Sequence, residues 1–126
     1  MSACLMIGAK AVMLASGVFT LSWTHSVERT GWAETYRIED GRLHLTEARV
    51  MGSGAGMDPG PGATLQDDWW VWTPDLPPLP QLVLAASGAT VSGWSICAGP
   101  WPGTDCEVVG AKKDEPIRVR PCSQRK

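Results

Sequence analysis

Apolar and polar residues alternate through most of this chain with a period of two. Phe19, Leu21 and Trp23 alternate with Thr20, Ser22 and Thr24, the pattern of a half-buried strand. Comparable runs predict strands over 4–7, 11–14, 18–26, 31–38, 43–50, 69–73, 81–85, 94–97, 106–109 and 117–120. They are short, rich in Val, Trp, Thr and Leu, and separated by turn-forming stretches such as "DG", "GPG", "PPLP" and "SG". No window carries a 3.6-residue apolar period. The pattern therefore predicts an all-β chain, a small antiparallel sandwich or partly open barrel, in a single domain spanning residues 1–126. "GSGAGMDPGPGA" (52–63) reads as a long central loop and "PDLPPLP" (74–80) as an extended connector.

The alternation also raises a chemical question. The next residue on the apolar side after Trp23 is His25, and Glu34 falls on the same side as Trp32, Tyr36 and Ile38. Asp40-Gly41 between two strand patterns signals a two-residue type I′ hairpin. That turn sets Glu39 opposite Arg42, Ile38 opposite Leu43, Tyr36 opposite Leu45 and Glu34 opposite Glu47. If the first turn, through "ERTG", sets Val27 opposite Trp32, His25 faces Glu34; a register shifted by two leaves His25 diagonal to Glu34, still within reach. The expected result is a polar row of His25, Glu34 and Glu47 at one end of the core face. Close carboxylates repel, so something must compensate them: an imidazolium, Arg49, a shared proton, a cationic ligand or a divalent metal held by His25, Glu34 and Glu47. The structural alternative is a buried His–Glu pair, with Arg49 balancing Glu47.

Composition narrows the function classes. A hydrophobic fraction of 44% with 19% charged residues excludes a disordered chain. The net charge of −2 gives no reason to expect a nucleic-acid partner, and the basic residues concentrate only in the tail, about 111–126. No apolar stretch reaches the length of a transmembrane helix. The N-terminal apolar run has no basic segment before it and is interrupted by Lys10, so it reads as two strands rather than a signal peptide. The four cysteines have no metal-ligand spacing. Cys97 ends one strand pattern and Cys106 begins another, which favours Cys97–Cys106 and leaves Cys4 to meet Cys122. In a cytoplasmic setting all four would be reduced.

Other stretches carry weaker chemistry. Ser53, Gly54 and Gly56 in "GSGAG" could form an anion-binding nest, although the run lacks the Lys-Ser/Thr of a phosphate loop. In "DDWWVW", Trp70 and Trp72 share one strand face and Trp69 and Val71 the other; in a chain with seven Trp, one Phe and one Tyr these read as core. His44 lies on the face opposite Leu43 and Leu45 and reads as exposed. Ser26 points away from His25, which disfavours a Ser–His catalytic pair.

The stretch "FTLSWTHSVERTGWAETYRI", followed by "GRLHLTEARVMGSGAGM", resembles an uncharacterised bacterial family, the domain of unknown function 1850. The features that carry the resemblance are Cys4-Leu5, Phe19 through Glu28, Glu34, Gly41 and Ser53-Gly54-Ala55-Gly56-Met57, with the Trp-rich and Pro-Cys ends included. Genes of this family often lie beside those of tripartite periplasmic solute transporters, and members often carry an N-terminal export or anchor segment. The resemblance implies an accessory role beside a transporter component and a periplasmic location; a chain without an export signal would be cytoplasmic. It supplies no catalytic residue. The leading expectation is a non-enzymatic binding or accessory module whose pocket uses His25, Glu34, Glu47, Ser53, Gly54 and Gly56. The alternatives are a metal-dependent enzyme using the same cluster and a structural domain with a buried His–Glu network.

Overall fold

The computed structural model describes residues 2–24, 31–51, 60–85, 93–110 and 115–122. Eleven strands, β1 (Ala3–Ile7), β2 (Lys10–Leu14), β3 (Val18–Thr24), β4 (Gly31–Glu39), β5 (Arg42–Met51), β6 (Thr64–Gln66), β7 (Trp69–Trp72), β8 (Leu82–Leu84), β9 (Trp94–Ala98), β10 (Thr104–Val109) and β11 (Ile117–Pro121), form two antiparallel sheets. The small sheet has the order β2-β1-β11-β8 and the large sheet β10-β9-β3-β4-β5-β7-β6. The chain is a sandwich rather than a barrel, and no helix occurs among the described residues. The expected meander is β3-β4-β5, and the expected N-terminal strands are the β1–β2 hairpin.

Each sheet contributes one apolar face to the core. Leu5, Ile7, Leu14, Leu84 and Val119 come from the small sheet, and Phe19, Leu21, Tyr36, Leu43 and Ile96 from the large one. The proline-rich connector carries the chain from the large sheet to the small one. On the way, Leu79 exchanges both backbone hydrogen bonds with Leu43, at 2.7 and 2.9 Å.

Both turns that flank the β5–β7 region have their local cause in the sequence. Asp40 (φ 54°) and Gly41 (φ 70°) are both left-handed, as a type I′ turn requires. Asp67 (φ 48°) and Asp68 (φ 71°) do the same between β6 and β7, a hairpin absent from the sequence-based strand assignment because it lacks glycine. Two disulfides close the chain: Cys4–Cys122 joins the ends of the small sheet, and Cys97–Cys106 joins β9 to β10. Both are the pairings expected from the strand pattern.

Two registers differ from expectation, and both bear on the site. Across β3 and β4, Trp23 pairs with Trp32, Leu21 with Glu34 and Phe19 with Tyr36, four residues away from the predicted alignment. This register matches aromatic with aromatic: Phe19 stacks on Tyr36 with centroids 5.3 Å apart, and Trp23 on Trp32 at 6.0 Å. Cross-strand aromatic pairs of this kind contribute roughly 0.2–1 kcal/mol each. Across β4 and β5, Glu39–Arg42, Ile38–Leu43 and Tyr36–Leu45 pair as predicted, but a bulge at Thr46 then shifts the ladder. Thr46 donates its hydroxyl to the Thr35 carbonyl at 3.1 Å. Beyond the bulge Glu34 faces Ala48, and Glu47 faces Thr35.

Candidate functional site

Because neighbouring residues on a strand point to opposite faces, the one-residue bulge separates the two predicted carboxylates. Glu34 lies on the core face, in a row with Leu21 and Ala48, and Glu47 lies on the outer face beside Thr35. The expected row of His25, Glu34 and Glu47 is corrected in that respect: Glu34 and Glu47 cannot share one ligand. His25, Ser53, Gly54 and Gly56 lie outside the described residues. Among the described residues, no three His, Cys, Asp or Glu side chains come together as a metal site.

Each carboxylate has its own partner instead. Tyr36 donates its hydroxyl to Glu34 at 2.7 Å. Burial raises the Glu34 pKa above its ordinary 4.5, and the Tyr36 hydrogen bond only partly offsets this. Burial, reinforced by the adjacent carboxylate, raises the Tyr36 phenol well above its ordinary range. On the other face, Arg49 donates through Nη2 and Nε to Glu47 at 2.8 and 3.3 Å. That is the Arg49–Glu47 balance foreseen in the structural alternative. His44, also on this face, is half-buried rather than exposed, with Nε2 3.2 Å from the Glu39 carbonyl oxygen.

The outer face of the large sheet carries a concavity of about 350 Å³. Its origin can be followed row by row. Ser95 pairs with Ser22, and Ser22 with Ala33, which lays a strip of small side chains across three strands. Thr24 pairs with Gly31 in the next row. Larger groups stand around this low floor: Trp69, Trp101 and Met51; Trp23 and Trp32, which stack on each other, also line the concavity. Trp69 can lie over β4 because Gly31 has no side chain; a Cβ there would come within 3.0 Å of the indole.

Trp101 reaches the site from the loop between β9 and β10. The Cys97–Cys106 disulfide ties both ends of that loop together. Thr20 donates its hydroxyl to the Gly99 carbonyl at 2.9 Å, and the Gly99 amide donates to the Val18 carbonyl at 2.8 Å. Trp101 thus meets Trp69 edge-on, with centroids 4.8 Å apart and planes 61° apart. The Arg49 guanidinium lies 5.8 Å from the Trp69 ring centroid and 5.3 Å from that of Trp101, a cation–π arrangement that braces the corner. The scarcity of Phe and Tyr makes Trp69 read as core; in the structure it is a wall of this outer groove, while Val71 beside it is buried. The available sequence signal was a tryptophan in a Gly/Pro-rich loop between two cysteines.

The groove also occupies a particular place along the chain. Thr24, Gly31 and Met51, which line it, are the strand residues from which segments 25–30 and 52–59 leave the sheet. Among the described residues, no helix is long and apolar enough to cross a membrane.

No curated protein and no solved structure matches the chain. The family described as "Domain of unknown function (DUF1850)" matches residues 19–101. The match starts one residue into β3 and ends at Trp101, so every described residue lining the groove falls within it, whereas Cys4-Leu5 and the C-terminal Pro-Cys fall outside. With most of its length covered by that match, from the first aromatic strand to the tryptophan of the stapled loop, the chain belongs to the domain of unknown function 1850 family.

Proposed function

We propose that this domain is a non-enzymatic binding module that takes a small ligand in the outer-face groove and serves as an accessory to a solute transporter component. The observation that carries the ligand reading is the position of the groove. The segments bearing His25 and bearing Ser53, Gly54 and Gly56 are joined to the sheet at residues that line it. Its volume lies at the lower end of the roughly 300–1,000 Å³ range of small-molecule sites. The transporter partner rests on the family resemblance. The Glu34–Tyr36 pair, on the core face, belongs to the structural framework in this reading.

The test is native mass spectrometry of protein purified without chelator, wild type beside Ser95→Leu, which fills the floor of the groove. The expected result is a retained small molecule in the wild type that is lost from a variant with the same melting temperature. Equal retention by both proteins overturns the assignment.

A further inference from the structure

We propose that the groove ligand is an uncharged, polyhydroxylated ring of monosaccharide size, seated against the Trp69–Trp101 corner with its hydroxyls toward Ser22 and Ser95. This inference rests on the groove being the binding site and adds the chemical class.

The argument is one of elimination by the wall chemistry. None of the described lining residues is ionisable. A carboxylate or phosphate ligand would need cationic donors, and the nearest guanidinium, that of Arg49, is already paired with Glu47 at 2.8 Å. A cationic ligand would be drawn to indole faces, but Arg49 already places a positive charge over both rings. A purely apolar ligand would strip water from the floor hydroxyls and give them nothing in return. Among the described residues, neither Ser22 nor Ser95 uses its hydroxyl in a hydrogen bond to another side chain. What fits both the indole corner and the hydroxyl floor is a ring with an apolar C–H face for an indole and hydroxyl groups at its rim for the two serines. The inclined setting of the two indoles, 61° between planes, offers one ring for stacking and the edge of the other for lateral contact.

The staple explains why such a corner can be rigid in a loop. Trp101 lies within a ring of chain closed by Cys97–Cys106 and is held to the sheet by the Thr20–Gly99 hydrogen bond. A preformed aromatic corner avoids the ordering entropy that a mobile loop would lose on binding.

The experiment is saturation-transfer NMR on the whole chain with glucose, galactose, mannose and N-acetylglucosamine, beside choline, succinate and adenosine as cationic, anionic and aromatic probes. The expected result is saturable binding of at least one sugar, lowered about tenfold or more by Trp101→Ala, partly restored in Trp101→Phe, and abolished by Ser95→Leu. Absence of sugar binding, with Ser95→Leu-sensitive binding of choline, succinate or adenosine, overturns the ligand class and leaves the groove reading standing. Sugar binding unaffected by any of the three variants overturns both. No binding of any probe overturns the class; in that case the mass-spectrometric comparison decides the groove separately. Should Trp101→Ala fail to fold, Ser95→Leu and Trp101→Phe carry the test.

Discussion

The two disulfides close loops of very different size, and this makes a quantitative prediction. Cys97 and Cys106 are separated by 9 positions, Cys4 and Cys122 by 118. If each bridge acts by restricting the unfolded chain, the loop-closure relation gives about 2.7 kcal/mol for the short loop and about 4.9 kcal/mol for the long one at 25 °C. The perturbations are Cys97→Ala/Cys106→Ala and Cys4→Ala/Cys122→Ala, each made as a pair so that no lone thiol remains. Guanidinium unfolding followed by tryptophan fluorescence should show the long-loop variant losing roughly 2 kcal/mol more than the short-loop variant. The functional consequences should run the other way. Opening the short loop frees Trp101 from Trp69, so the near-ultraviolet dichroism of the indole pair and ligand binding should both fall while the sandwich survives. Opening the long loop removes a bridge between β1 and the residue following β11, on the small sheet, and the groove should stay intact. The reasoning is refuted if the short-loop variant is the less stable of the two, or if it keeps the full dichroic signal and binding.

Three further outcomes follow from particular contacts. In the folded protein the Glu34 pKa is raised above the 4.5 of the unfolded chain, so folding favours the protonated acid. The contribution of Glu34 to stability should then be greatest below about pH 4.5, fall as pH rises from there through the folded pKa, and level off above it. Glu34→Gln should lack that decline and melt higher than wild type at pH 7; melting curves from pH 3.5 to 8 that run parallel would contradict this. Tyr36→Phe removes the donor to Glu34 and should destabilise by about 1–3 kcal/mol in urea titration at pH 7. Leu5→Ala, at a fully buried position facing the other sheet, should cost about 3–5 kcal/mol by the same assay, far more than Met13→Ala on the exposed side of the neighbouring strand.

What was legible in the sequence was local. Alternation marked the strands because a pleated strand with one buried face leaves that imprint on every second residue. Asp40-Gly41 announced its turn because few residue pairs adopt two successive left-handed conformations, and the pairs nearest that turn, Glu39–Arg42 through Tyr36–Leu45, followed from it. Cys97–Cys106 was readable because the two cysteines bracket a short loop between adjacent strands. The fold class and the meander needed nothing more.

Only the tertiary structure decided which face each polar residue occupies. The bulge at Thr46 moves Glu47 to the other side of the sheet, and no glycine or other local signal marks it. The observed β3–β4 register goes with aromatic stacking across the strands and with packing against the small sheet. The groove is less local still. Its floor comes from β3, β4 and β9, and its walls from β5, β7 and a loop stapled by a disulfide. Ser22, Ser95 and Trp101 are unremarkable in sequence because a concavity is a property of relative heights across neighbouring strands. Those heights exist only once long-range pairing has brought small side chains together and set tall ones around them.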